Sequence, residues 1–391
     1  MEFAFTAEEE TFRKELVDFL ENELPEGWHD PQPDIYAIGK LEGEMRRKLG
    51  ERGWRTMAWP REYGGRDASP TMQLIFKEEI GYRGAQRVED QGVDFVGPTI
   101  ILHGTEEQKK EHLNRISAGD AWWCQGFSEP EAGSDLAGLQ TRAVEDGDDY
   151  IINGRKIWTS FAHLANWMHV LTRTDSDAPK HKGITYFLLD MNTPGISIRP
   201  LITMAGHHHF NEVTFDNVRV PKQNMLGEKN RGWYVAMSAL DYERSGIEYP
   251  ARARRVLEDI TEYARETKVN GKTLIEEPQV LAKLTECAID LEVSSLLCYR
   301  IAWMQGQGLV PNHEASIGKL YGSEMWLRVA NSCTHILGLG SQLTKDSKWA
   351  ILDGLVPDFY LQVVAGAIYS GTSEIQRGII ARRGLGLPRG A

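Results

Sequence analysis

Three short segments combine turn-forming glycines with hydroxyls, amides and an aromatic ring. The first reads Gly126-Phe-Ser-Glu-Pro-Glu-Ala-Gly-Ser-Asp-Leu-Ala-Gly138. Pro130, Gly133 and Gly138 bend the chain, so exposed amides and the hydroxyls of Ser128 and Ser134 face a common space. Such a loop can bond a polar heterocycle through backbone groups and hydroxyls, or it is simply a capped turn. The second, Asn153-Gly-Arg-Lys-Ile-Trp-Thr-Ser160, reads as a hairpin turn feeding a strand. Trp158 can cover a flat cofactor while Thr159 or Ser160 bonds its ring, although a strand Trp serves equally as plain core. The third is Ala367-Ile-Tyr-Ser-Gly-Thr-Ser-Glu-Ile-Gln-Arg377. Gly371 permits a tight backbone approach, and Thr372 resembles an N-cap with Ser373 and Glu374 in the first turn of a closing helix. A helix start of this kind is an anion-friendly place.

A fourth candidate is a carboxylate. Met237, Leu240, Arg244 and Ile247 form an apolar stripe at helical spacing, with Glu243 on its edge. A carboxylate there is paired or desolvated. Desolvation raises its pKa toward that of a useful base, and Arg244 opposes the shift. The plainer reading is an ion pair or a solvated helix face. Pro250 cannot bond the carbonyl of Gly246, so a kink is expected in this helix. The run His207-His208-His209 suggests a metal, but adjacent strand residues point to opposite faces, so only His207 and His209 share one. No carboxylate or cysteine completes a ligand set at a familiar spacing, and no metal is expected.

The elements that must hold these residues fall into a simple order. Thr6, Ser69-Pro70 and Thr105 each read as helix starts. From Ala121 to Leu226, short β-rich runs alternate with turns, which suggests a small antiparallel barrel or sandwich. After Gly232 helical periodicity returns, with a long run from Glu277 to Trp303. The fold class expected is mostly α with a central β domain. It comprises a helical N-terminal domain over 1–119, an antiparallel β-barrel-like middle domain over 120–229 and a helical bundle over 230–391.

Composition narrows the function. A chain of 391 residues with net charge -12 repels nucleic acid and anionic membrane, so neither is an expected partner. The start, Met1-Glu-Phe-Ala-Phe-Thr6, lacks the basic and apolar pattern of a signal peptide, and no run is long enough for membrane insertion. Four widely spaced cysteines read as buried thiols in a reducing cytoplasm.

Together with Trp59-Pro60, Tyr63-Gly64-Gly65 and Asn217-Val-Arg-Val-Pro221, the three segments resemble the acyl-CoA dehydrogenase family over nearly the whole chain. The resemblance implies that family's fold and an FAD bound without a Gly-x-Gly-x-x-Gly loop. It places the Phe127 backbone, Ser128, Trp158, Thr159 and Ser160 at the flavin ring, with Gly133 in the same loop. It places Thr372 and Glu374 at the FAD phosphates and adenosine. His335 and Gly338 fall in the stretch that reaches FAD across a subunit boundary, here partly altered. Ser134 and Asp241 match contacts to the CoA portion of the substrate, and Arg244 matches a buried arginine beside the active centre.

Many members carry the catalytic base directly before the Gly-Thr of the third segment. Here that position is Ser370, whose hydroxyl is too weak a base without an adjacent His or Lys. Its backbone N–H can still bond the thioester oxygen. A minority, including isovaleryl- and long-chain-type enzymes, use a glutamate just before the buried arginine, which here is Glu243. The resemblance implies α,β-dehydrogenation of an acyl-CoA in lipid catabolism, with electrons passed to electron-transferring flavoprotein. It also implies a homotetramer or mixed tetramer. Two alternatives stay open: an FAD-retaining or structural subunit of a heteromeric enzyme, and an acyl-CoA oxidase or flavin monooxygenase on the same fold.

Overall fold

Local chemistry sets most element boundaries. The Thr6 hydroxyl accepts from the Glu9 amide, and Glu9 returns a bond to the Thr6 amide, capping α1 (Ala7–Glu23). α2 (Ile35–Glu51) follows. Ser69 caps α3 (Pro70–Tyr82), with Pro70 in the first turn where a missing N–H costs nothing. After α4 (Gly97–His103), Thr105 and Gln108 form a second reciprocal cap on α5 (Glu106–Ala118). The strands are β1 (Trp123–Gly126), β2 (Arg142–Asp146), β3 (Asp149–Ser160), β4 (Trp167–Arg173), β5 (Ile184–Asp190), β6 (Ile196–Leu201) and β7 (Phe210–Pro221). Helices then return as α6 (Gly232–Ala239) and α7 (Glu248–Glu266). A hairpin of β8 (Lys268–Val269) and β9 (Lys272–Thr273) precedes α8 (Pro278–Gly306), α9 (His313–Leu337), α10 (Leu355–Val363) and α11 (Ser373–Ile379). The computed structural model describes residues 4–25, 35–85, 91–239 and 246–388. The expected order of helices, strands and helices is what the chain adopts.

The chain divides into two compact units. One contains Ile35–Ala68 and Arg87–Glu243 and is built on a seven-stranded sheet in the order β1-β4-β2-β3-β7-β6, with β5 also paired to β4. Most pairings are antiparallel, but β1 runs parallel to β4 with Trp123 opposite Trp167, and Arg142 of β2 bridges Arg173 of β4 in parallel. Every residue of β4 is buried. Its alternation sends Trp167 and Leu171 into one apolar cluster with Trp59, Trp123 and Tyr186, and Met168 and Val170 into another with Ile152, Phe187 and Val213. Each such side chain stabilises the unit by about 1.5–3 kcal/mol relative to exposure.

The other unit contains Met1–Asp34, Ser69–Gln86 and Arg244–Ala391. Its core gathers Tyr249, Val256 and Ile260 of α7 with Leu291 of α8, Met325, Trp326 and Val329 of α9, and Phe359 of α10. The Trp326 indole N–H donates to the Tyr249 carbonyl at 2.6 Å, so its one polar atom is satisfied inside this core.

Two sequence expectations change. Asn153-Gly154 is not a hairpin turn but lies inside β3, where the register with β7 shifts between Ile152 and Gly154. The turn itself sits between Asp146 and Asp149, with Gly147 at φ 61°. Gly154 marks a bulge instead: a Cβ there would lie 2.7 Å from the Thr141 Cα. Pro250 does not kink a helix, because α7 begins at Glu248 and Pro250 stands in its first turn. Gly246 lies before that helix at φ 63°. The stripe does not run through Ile247 on one helix: Gly246 has left-handed backbone and Ile247 precedes α7, where it packs with Leu74, Cys298 and Ala302.

Candidate functional site

The Gly126–Gly138 loop is anchored from β3. Lys156 is fully buried, and its ammonium donates to the Phe127 carbonyl at 3.0 Å and to the Glu129 carboxylate at 2.8 Å. Glu129 also accepts from the amides of Gln140 at 2.6 Å and Thr141 at 2.9 Å, closing the loop on itself. Burial alone would raise Glu129, but Lys156 and these amides hold it below the usual carboxylate range. Burial pulls Lys156 down to about 8 against the opposing attraction of Glu129. Arg173 secures the far side of the loop by donating to the carbonyls of Ala137 at 2.6 Å and Leu139 at 3.3 Å. Ile157 N–H donates to the Ser128 carbonyl at 2.9 Å.

Phe127, Ser128, Trp158, Thr159 and Ser160 are thereby brought together on adjoining backbone. Among the described residues, neither the Ser128 amide nor its hydroxyl has a hydrogen-bond partner. Trp158 is 59% exposed and sits at φ 60°, an uncommon conformation for a bulky residue. The Thr159 hydroxyl is buried with no partner. Gly133 and Ser134 are exposed, and a Cβ on Gly133 would meet nothing within 4 Å.

Beside this strand end lies a histidine cluster. The His163 and His208 rings stack at 3.9 Å, and both reach Asn211, which donates to the Thr159 carbonyl at 3.1 Å. His207 and His209 stack at 5.1 Å in the loop just before β7. Among the described residues, no group of three or more His, Cys, Asp or Glu is arranged to hold a metal ion.

In the other unit, the turn after α10 is similarly pinned. Ser370 and Gly371 adopt φ 52° and 83°. The Lys319 ammonium donates to the carbonyls of Gly366 and Gly371, and Gln376 donates to the Ser370 carbonyl at 3.0 Å. Thr372 caps α11 by accepting from the Ile375 amide at 3.3 Å, as its sequence suggested. Glu374 is exposed. His335 lies in the last turn of α9, bonded to the Asn331 carbonyl, and Gly338 ends that helix at φ 58°. Asp241, Glu243 and Arg244 lie outside the described residues.

Family models for the N-terminal, middle and C-terminal domains of acyl-CoA dehydrogenase match residues 6–120, 124–218 and 230–385. The chain belongs to the acyl-CoA dehydrogenase family. It is 36% identical to acyl-CoA dehydrogenase FadE26 of Mycobacterium tuberculosis, over 100% of this chain and 99% of the relative. Among solved structures, one chain of the ChsE4-ChsE5 complex from Mycobacterium tuberculosis superposes with a TM-score of 0.91 at 34% identity, covering 100% of both chains. The Tcur3481-Tcur3483 steroid acyl-CoA dehydrogenase matches with a TM-score of 0.90 at 33% identity, again over 100% of both. The protein is thus an acyl-CoA dehydrogenase, an oxidoreductase of a flavoprotein family in lipid catabolism. Among the described residues, no helix is long and apolar enough to cross a membrane.

The family uses FAD, and these residues suit it. An orphaned buried hydroxyl at Thr159, unpaired donors on Ser128 and an exposed indole at Trp158 match a flat heterocycle with polar edges. Sequence reading missed the groups that hold this surface in place. Lys156 shares strand parity with the buried Tyr150 and Ile152, so a lysine on an apolar face was the available signal. Lys319 carried no such signal, because its carbonyl partners lie far along the chain.

Proposed function

We propose that this chain removes one hydrogen each from Cα and Cβ of an acyl-CoA, giving the trans-2-enoyl-CoA. FAD, when bound, supplies the hydride acceptor, and electron-transferring flavoprotein is the onward electron acceptor. The observation that carries the reading is the unbonded hydroxyl of Thr159 and donors of Ser128 beside the exposed Trp158 indole, where β3 meets an ion-paired loop. The Phe127 backbone, Ser128, Trp158, Thr159 and Ser160 bind and orient the flavin ring, with Gly133 in the same loop. Thr372 and Glu374 serve its phosphate and adenosine side, and His335 and Gly338 lie at the cross-subunit approach. Ser134 and Asp241 hold the CoA portion.

Glu243 removes the Cα proton, with Arg244 beside it. Ser370 contributes its amide rather than its hydroxyl. That N–H can bond the thioester oxygen as enolate charge develops. Purified protein mixed anaerobically with straight-chain, branched and cyclic acyl-CoA esters should show flavin bleaching with at least one class. No bleaching with any class, from protein that carries FAD, would overturn the reading.

A second reading has specific support. Ser370 replaces the common acid, and one similar solved structure is a complex of two named chains, ChsE4-ChsE5. On that reading this chain is one subunit of a mixed tetramer and retains FAD only with its partner. A colourless chain that gains a flavin spectrum on co-purification with a second subunit selects it. Steroid-bearing acyl-CoA esters, suggested by the similarity to the steroid acyl-CoA dehydrogenase, belong to the same panel.

A further inference from the structure

Lys156 is unusual in being a fully buried lysine whose strongest partners are a single carboxylate and a main-chain carbonyl. A buried ion pair of this kind is a weak source of stability, since its desolvation cost rivals its attraction. Its geometry does something more specific. The ammonium bonds the carbonyl of Phe127 at 3.0 Å, and that carbonyl belongs to the same peptide group as the Ser128 N–H. A cation on the carbonyl oxygen draws electron density across the peptide and makes its N–H a stronger donor. The Ser128 carbonyl is meanwhile fixed by the Ile157 amide, so the polarised N–H has a set direction. Among the described residues that N–H has no acceptor in the protein.

Among the described residues, two charged groups act on Lys156. Glu129 neutralises it at 2.8 Å, and Arg173 lies near enough to disfavour its charge. With Lys156 drawn down to about 8, most of the population still carries the charge at neutral pH.

We propose that Lys156 is a positioning residue that polarises the Phe127–Ser128 peptide toward the flavin ring and so favours binding of the reduced over the oxidised flavin. This rests on the reading that Ser128 faces that ring. The reduced ring carries more negative charge, and a strengthened donor stabilises it more than the oxidised ring. The consequence is a higher midpoint potential, separable from any effect on folding.

The test uses the FAD-loaded protein, or its loaded complex if FAD is retained only there. The double variant Lys156→Met with Glu129→Gln removes both charges at similar volume. It should keep bound FAD, while the ratio of oxidised to reduced dissociation constants shifts by about tenfold. That is about 30 mV downward for a two-electron couple in an anaerobic dye-coupled titration. Glu129→Gln alone removes the attraction that holds Lys156 charged and should also move the potential downward, which keeps the idea testable if the double variant folds poorly. Loaded variants whose potentials equal that of the unmodified protein would overturn the proposal and leave a purely structural pair. A wild-type protein that takes up no FAD in any assembly overturns the underlying reading instead, and is seen before any variant is made.

Discussion

Lys319 and Gly371 are joined by a hydrogen bond of 2.7 Å from the ammonium to the carbonyl oxygen, and the same ammonium reaches the Gly366 carbonyl at 3.0 Å. Burial lowers Lys319 to about 8, with Glu324 and Glu374 opposing. The turn that carries the residue-370 amide is therefore held by Lys319 together with Gln376. Lys319→Met should cost about 1–3 kcal/mol through unsatisfied carbonyls. It should also lower kcat more than KM, because a misplaced amide is felt in the transition state. Urea denaturation beside steady-state kinetics reads both; full activity with lost stability would show that the turn tolerates the loss.

The placement of the base gives a paired test. Ser370→Ala keeps the backbone amide and should leave turnover within a few-fold. Glu243→Gln should retain FAD and lose about 10²–10⁴-fold in the rate of anaerobic flavin bleaching. The reverse ranking would return the chemistry to residue 370.

Thr159 offers a test in which folding and cofactor binding move apart. Its hydroxyl is buried without a partner, so Thr159→Val should leave the FAD-free protein as stable or up to about 1 kcal/mol more stable. FAD affinity should fall about tenfold if the hydroxyl bonds the ring. Thermal melts with and without added FAD distinguish this from a packing defect, which would lower both.

Two glycines of the same region should behave oppositely. Gly154→Ala drives a Cβ against the Thr141 backbone from φ 148° and should cost about 2–3 kcal/mol. Gly133→Ala meets nothing within 4 Å and should leave the urea midpoint unchanged. Any loss of FAD in the latter then reports close approach of the cofactor to its backbone.

Acid should loosen the sheet-bearing unit. His112 is buried with its ring 5.3 Å from that of Trp123 and 4.7 Å from that of Trp167. Burial, aided by Arg115, lowers it from 6.5 to about 4. The folded pKa lies below the unfolded one, so the unfolded chain binds more protons between these values. Its contribution is intact above pH 6.5 and is lost as pH falls toward 4, amounting to roughly 2 kcal/mol at pH 5. His169, lowered to about 3 by complete burial, acts in the same direction. His112→Phe should flatten the difference between denaturation midpoints at pH 7.5 and pH 5; an unchanged difference would place the acid sensitivity elsewhere.

Local signals were the legible part of this chain. Thr6, Ser69, Thr105 and Thr372 announce helix starts because a cap is completed within three or four residues. Misreadings came where a distant partner decides. Asn153-Gly154 has the local form of a hairpin turn, but pairing of β3 with β7 absorbs it as a bulge. Pro250 falls in a first turn because Gly246 breaks the run before it, which apolar spacing could not reveal. At the candidate site the hydroxyls and the indole were visible as types. The buried Lys156 left only the hint of a lysine on an apolar face, and the half-buried Lys319 left none, since their roles depend on main-chain carbonyls that no side-chain pattern records.

The parallel pairing of β1 with β4 bears on how the protein comes to exist. Trp123 cannot meet Trp167 until the loop, β2 and β3 between them have been made and folded back. Such distant closures slow folding. A ribosome-bound chain that ends before Arg173 lacks the residue that bonds Ala137 and Leu139. The Gly126–Gly138 loop should therefore set late in refolding, with return of buried tryptophan fluorescence preceding return of flavin colour.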